Sequence, residues 1–294
     1  MADHRGDERV RTSGYLTGGA GARLAYLAAG RPDVPALVLL HGWGSSADVW
    51  EPLLDGPLAE RFSLLALDLR GHGRSDKPAS GYADAQNWAA DVRAALEHVG
   101  GLGGSGRAAN RPAIVVGWSY GGLVITDYLR AHGVAHGLAG IVLVGAITEI
   151  GRGHPGGWVG PALRAALPDA LAEDEGVAIK AIGEFGALAD DELDPATAQA
   201  IAGDLLRVPP AVRAALFARD VDSADVLASV GVPALIVHGS DDPVVDMRAA
   251  QYAARQLPKA RLHRVDGAGH LPFLSHRDEF TDVLAAFADE VFDG

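Results

Sequence analysis

The chain has 294 residues, 48% of them hydrophobic, enough for one large core or a core with an inserted subdomain, which argues against a disordered polypeptide. Its formal charge of −13 disfavours nucleic acid and anionic membrane surfaces as partners. It contains no cysteine, so disulfides, thiolate metal ligands and cysteine nucleophiles are excluded. No run of about eighteen apolar residues is available to span a bilayer. Residues 1–9 place charges where a signal peptide needs an apolar stretch, so a soluble, unexported, cytoplasmic protein is expected.

In chain order, the first clear element is the apolar run Ala-Leu-Val-Leu-Leu at residues 36–40, entered from Pro35 and ended by His41-Gly42, as expected of a strand buried on both faces. Similar runs predict strands at 62–67, 113–116, 141–144, 234–237 and 261–265. Trp88, Val92, Leu96 and Val99 fall at helical spacing before Gly100, and Leu123, Ile125, Tyr128 and Leu129 do so before Gly133. Residues 100–112 are glycine-rich with little apolar content and read as a surface loop. Their spacing is not that of a phosphate cradle. Strands alternating with helices predict an α/β fold, a mostly parallel sheet with right-handed crossovers and helices on both faces.

After the strand ending at Val144 the alternation stops. Residues 147–228 show helical periodicity, as at Ile179, Ile182, Phe185 and Leu188, and the segment is too long for a plain loop. A helical cap over 147–228 is therefore expected between a first core part, 1–146, and a second, 229–294.

The chemistry concentrates at strand ends. Gly117-Trp118-Ser119-Tyr120-Gly121 follows a buried strand and precedes a helix, the setting in which a Gly-x-Ser-x-Gly serine becomes a nucleophile. An ordinary glycine-rich turn is the alternative for the pentapeptide taken alone. A serine hydroxyl needs a base, and the base needs a carboxylate to hold its tautomer, in the order serine, acid, histidine. His270 in Gly267-Ala268-Gly269-His270 follows the last strand and is the expected base. His263, inside a strand, and His276, at the start of the last helix, are weaker candidates. Asp242 is the expected acid, because Pro243 should start a helix directly after it. Asp241, read as a cap or backbone contact, and Glu149, beyond the preceding strand, stay open as alternatives.

An oxyanion hole requires the N–H after the nucleophile, at Tyr120, and one from the loop after the early strand, for which Trp43 in His41-Gly42-Trp43-Gly44 is the expected donor. Trp43 and Trp118 are candidates to line an apolar acyl pocket, with core packing as the alternative. The run Asp68-Leu69-Arg70-Gly71-His72-Gly73-Arg74-Ser75 reads as structural, with glycines for a tight turn and charges for internal pairing. No residues stand at metal-ligand spacing and no dinucleotide fingerprint is present, so neither a metal nor a cofactor is expected.

These motifs together resemble the α/β-hydrolase superfamily over nearly the whole chain, from the strand before His41 to the helix after His276. Within it, His41-Gly42-Trp43-Gly44, Gly117-Trp118-Ser119 with Gly121-Gly122-Leu123-Val124, and His270 with Pro272-Phe273 and Ser275-His276 are most similar to the serine esterases that cleave pimeloyl-carrier-protein methyl ester in biotin synthesis. The resemblance implies ester hydrolysis through an acyl-enzyme. It also implies a cap that docks an acidic carrier through basic residues, yet residues 151–228 hold six Arg or Lys against thirteen Asp or Glu, a net of −7. Like charges repel, so an acidic carrier protein is disfavoured and a small-molecule ester is the expected substrate. A cofactor-free perhydrolase or a carbon–carbon bond hydrolase would use the same triad. Perhydrolases resemble the chain more closely than do haloalkane dehalogenases and epoxide hydrolases, which attack through aspartate where Ser119 stands, but they typically carry a proline where Gly44 stands. A non-catalytic small-ligand receptor of the same fold is the reading from another class. Oligomeric state is not legible.

Overall fold

A computed structural model describes residues 11–100, 111–135 and 137–294. Residues 1–9 and most of the glycine-rich loop lie outside them. The sheet has eight strands in the order β1 (Thr12–Thr17), β2 (Arg23–Ala29), β4 (Ser63–Leu67), β3 (Ala36–Leu40), β5 (Ala113–Trp118), β6 (Leu138–Val144), β7 (Ala234–Gly239) and β8 (Ala260–Val265). From β4 through β8 every pairing is parallel, whereas β1 and β2 form an antiparallel hairpin set antiparallel on β4. Every residue of β3, β5 and β7 is buried, as strands covered on both faces must be. At the edge, β8 is largely uncovered and exposes Arg261 and Arg264, charges that discourage further strand pairing.

The hairpin β1–β2 was not among the expected strands. Thr12–Thr17 is a polar edge strand, and Arg23–Ala29, though apolar from Leu24 onward, holds three alanines and no β-branched residue, a composition with weak strand preference. Of the expected strands, β3 has the expected limits, and each of the others begins or ends one to three residues away.

Helices follow from apolar spacing. After the short α1 (Glu51–Leu54) and α2 (Leu58–Arg61), α3 (Ala85–Gly100) buries Trp88, Val92 and Leu96 at four-residue intervals. The helix α4 (Tyr120–His132) is buried continuously from Tyr120 to Leu129 and stops at Gly133. Between β6 and β7 the described residues form α5 (Pro161–Ala170), α6 (Glu175–Leu188), α7 (Pro195–Arg207), α8 (Pro210–Phe217) and α9 (Ala224–Ala228). Asp174 and Asp194 cap α6 and α7 by accepting first-turn N–H groups. Of the residues whose spacing marks α6, Ile182 is fully buried, but Ile179 and Leu188 face outward at 54% and 53% exposure. The remaining helices are α10 (Met247–Gln256), the one-turn α11 (Pro272–Ser275) and α12 (Arg277–Asp293), which buries Phe280, Leu284 and Phe287. None of the described helices is long and apolar enough to cross a membrane.

The turn after β4 carries the run Asp68–Ser75 inward. Asp68 accepts the N–H of Ala47 and of Arg74, while Arg70 leaves the run altogether to meet Asp91 of α3 in a two-pronged pair at 2.6 Å, both side chains essentially buried. The expected internal pairing therefore holds for Arg74 with Asp68, and Arg70 is the exception. Removing one partner of such a buried pair leaves the other charge uncompensated. Asp91→Ala should cost about 3–5 kcal/mol in urea unfolding, and a loss below about 1 kcal/mol would show that Arg70 finds other compensation.

Candidate active site

The parallel register puts the ends of β3, β5, β7 and β8 on one edge of the sheet, where α/β sheets bind ligands. Ser119 ends the β5 turn with φ 54° and ψ −118°, a left-handed conformation for a residue with a side chain. Its N–H donates to the Val144 carbonyl at 2.9 Å, and its own carbonyl accepts from Gly122 and Ile147. The turn is possible because the residues two positions to either side, Gly117 and Gly121, have no side chains: a Cβ on Gly117 would lie 2.6 Å from the Gly121 backbone, and one on Gly121 would lie 2.6 Å from the Leu40 carbonyl oxygen. Tyr120 opens α4, so its N–H has no carbonyl within the helix to bond.

His270 and Asp242 meet across the loops after β8 and β7. The imidazole Nδ1–H donates to Asp242 Oδ2 at 2.8 Å, with the two side chains 4% and 1% exposed. A carboxylate on Nδ1 fixes the tautomer that leaves Nε2 as the basic nitrogen. Asp242 Oδ1 in turn accepts the N–H groups of Val244 (2.8 Å) and Val245 (2.9 Å). Those bonds replace the anchor expected from a helix starting at Pro243. Residues 243–246 are instead a bend with a β-bridge from Val245 to Val159, and α10 starts only at Met247, capped by Asp246. Pro243 is thus no helix start, since the carboxylate itself holds the bend.

The alternative acids are engaged elsewhere. Asp241 is exposed and accepts the Ser240 hydroxyl, a side-chain contact where a backbone one was expected. Glu149 is buried among the Gly156 N–H, the Ser223 N–H and the Tyr252 hydroxyl. His263 pairs with Glu279 on the outside of the sheet, and His276 precedes α12.

Ser119 and His270 border one apolar cavity, whose wall includes Trp43, Trp118, Ile182 and Leu205. Trp43 packs edge-on against Phe217 and Phe185, and its indole N–H has no partner among the described residues. The following Gly44 has φ +73°, and a Cβ there would run into the Leu205 side chain of α7. Trp118 borders the cavity but also does something unforeseen: its indole N–H donates to the His270 carbonyl at 2.9 Å. The Tyr120 side chain, likewise unforeseen, reaches the far side of the site. Its hydroxyl bonds to the Leu216 carbonyl and accepts from Arg219, which forms a buried two-pronged pair with Asp127. Burial raises Asp127 to about 6, although Arg219 opposes the shift, and raises the Tyr120 phenol to about 12. No group of three His, Asp or Glu among the described residues is arranged to hold a metal ion.

With this geometry established, comparison with known proteins is direct. The model of the alpha/beta hydrolase family matches residues 37–283, and the chain belongs to that family. A pimeloyl-acyl-carrier-protein methyl ester esterase from Aromatoleum aromaticum is 32% identical over 263 residues, covering 85% of this chain and 95% of that protein. Among solved structures, an esterase from Rhodococcus sp. ECU1013 superposes with a TM-score of 0.85 at 42% identity, covering 95% of this chain and 99% of its own. An esterase from Exiguobacterium antarcticum does so with a TM-score of 0.79 at 25% identity, covering 94% and 98%. The chain is a carboxylic ester hydrolase of this family.

At the base of the site, His41 and His72 lie buried with ring centres 5.1 Å apart. Leu69 N–H donates to His41 Nε2, so Nδ1 carries the proton and donates to Gly42 O. Burial lowers His41 to about 4 and His72 to about 3. An unfolded chain takes up protons at these positions near pH 6.5, before the folded one does. Their contribution to stability is complete above that pH and falls toward pH 4, by up to about 1.4 kcal/mol per pH unit for each histidine. Between pH 7 and pH 5, His72→Gln should lose about 2 kcal/mol less unfolding free energy than the native chain. Parallel urea curves at the two pH values check this, and identical losses would refute it.

Proposed function

We propose that Ser119, His270 and Asp242 are the catalytic triad and that the Trp43 and Tyr120 N–H groups are the oxyanion hole. The observation that carries this reading is the Asp242–His270 hydrogen bond at 2.8 Å, beside a cavity that the strained Ser119 also borders. His270 Nε2 removes the Ser119 proton as Oγ attacks the ester carbonyl. The oxyanion is held by the two N–H groups, and the imidazolium, stabilised by Asp242, protonates the leaving alcohol. Water deprotonated by His270 then attacks the acyl-enzyme, and collapse releases the acid and restores Ser119.

Residues 147–228 serve as a cap over the acyl site, between core parts 1–146 and 229–294. Trp43 and Trp118 form part of the acyl wall, and the apolar lining supports a small, neutral acyl group. The Aromatoleum relative is named for an acyl-carrier-protein ester. In this chain a small-molecule ester is the better reading, because the cap is net acidic and two of its six cations, Arg213 and Arg219, are buried. Asp169, Glu173, Asp174, Glu175, Asp191 and Glu192 face outward, which would repel an acidic carrier.

Turnover of p-nitrophenyl acetate and butyrate tests the assignment. Ser119→Ala should remove activity by at least about 10⁴-fold and Asp242→Asn by about 10³–10⁴-fold. Rates equal to the native chain's would end the proposal. Each methylene that the cavity accommodates should raise kcat/KM about fourfold, so butyrate should exceed acetate. Labelling of Ser119 by a fluorophosphonate separates the enzyme from a receptor of the same fold, in which the serine would stay unreactive.

A further inference from the structure

We infer that Asp190, a buried carboxylate in the segment between α6 and α7, is a positioning residue for His270, so that the cap seats the catalytic base. This rests on the assignment of His270 as base proposed above. Asp190 is only 3% exposed, and its two oxygens face different partners. Oδ1 accepts the Glu192 N–H at 3.1 Å and closes its own turn. Oδ2 is directed at the loop of the base, accepting the Leu271 N–H at 3.2 Å and the Ser275 hydroxyl at 2.9 Å.

The contact extends to His270 itself. Its N–H donates to the carbonyl of Ala189, the residue before Asp190, at 2.9 Å. Its carbonyl accepts the Trp118 indole N–H at 2.9 Å, and its ring holds Asp242. The imidazole is thus fixed from three sides: the elbow through Trp118, the β7 loop through Asp242, and the cap through Ala189 and Asp190. On the cap side the approach leaves no slack, since a Cβ on Gly269 would lie 2.7 Å from the Asp190 Cα. Leu271 is fully buried, so loss of the Asp190 carboxylate strands its N–H without an acceptor. The loop relieves that by shifting, and the imidazole shifts with it. Misplacement by about 1 Å lowers a rate by up to about a hundredfold without weakening binding of the substrate.

The test compares kcat and KM on p-nitrophenyl butyrate for Asp190→Ala, Asp190→Asn, His270→Ala and the double variant Asp190→Ala/His270→Ala, with thermal midpoints reporting the fold. Asp190→Ala should lose about tenfold to a hundredfold in kcat with KM within about twofold. Asp190→Asn, which keeps an acceptor oxygen, should recover most of that loss. In the His270→Ala background, Asp190→Ala should cost nothing further, because there is no base left to position. An unchanged kcat in folded Asp190→Ala overturns the inference, as does an equal loss with and without His270, which would mark a purely structural role. If Asp190→Ala does not fold, Ser275→Ala removes one of the two loop bonds to Oδ2. It should then lower kcat severalfold in the native background only, and no loss there overturns the inference. Full turnover by His270→Ala would overturn the assignment of the base, and the positioning role with it, an outcome distinct from failure at Asp190 alone.

Discussion

Much of this structure is arranged around one unfavourable residue conformation. Holding Ser119 at φ 54° costs about 1–3 kcal/mol, and nothing within the turn returns it. The cost is offset by what lies on either side. The strand β5 is buried along its whole length, and α4 is buried continuously over its first ten residues, Tyr120 to Leu129. Neither can move to relax the turn without exposing apolar surface worth far more than the strain. The end of β3 then packs onto the turn so closely that Gly121 admits no side chain against the Leu40 carbonyl. A strained serine presented at a strand end is thus a consequence of sheet packing, and the place of Ser119 at the cavity follows from it.

The same parallel register carries the charge arrangement. Asp242 stands just before a bend, three residues beyond Gly239, where the β7–β8 pairing ends against Val265. Its carboxylate is almost completely buried, yet all its bonds are useful: two backbone N–H groups on one oxygen and the His270 ring on the other. A buried carboxylate without such partners would be costly, and its orientation would be free. Here the bonds that hold the bend also aim the second oxygen at the imidazole.

Features that depend on a few adjacent residues were legible in the sequence. Gly-Trp-Ser-Tyr-Gly between an apolar run and a helical pattern announces the elbow, and the apolar runs announce the buried strands. The hairpin β1–β2 was not, because one strand is polar and the apolar run of the other is rich in alanine and lacks the β-branched residues that mark a strand. Pro243 misled for a related reason: proline is compatible with a helix start and equally with a bend, and the side chain of Asp242, not the local propensity, decides between them. The indole of Trp118 on His270 spans 152 residues, and Asp190 reaches Ser275 across 85. Neither pairing has a local signature. Periodicity in α6 found the helix but not its orientation, since Ile179 and Leu188 continue the apolar pattern on a face that nothing covers among the described residues.

The segment proposed as the cap is joined to the catalytic core by polar bonds as well as apolar packing. The Ser46 hydroxyl donates to Asp204 of α7 at 2.6 Å, directly beyond the loop that carries Trp43. Arg219 locks onto Asp127 of α4, and Tyr120, the residue after Ser119, bonds to both Arg219 and the Leu216 carbonyl. The cations of this segment are therefore divided. Arg219 is drawn inward as a fastening and Arg213 is buried against the Leu205 carbonyl, while many of the carboxylates stay outside. A residue count understates the acidity that an approaching molecule meets, because burial removes positive charge from the surface without removing it from the sequence. Fastening by buried cations and an acidic outer face are two effects of one distribution of charge.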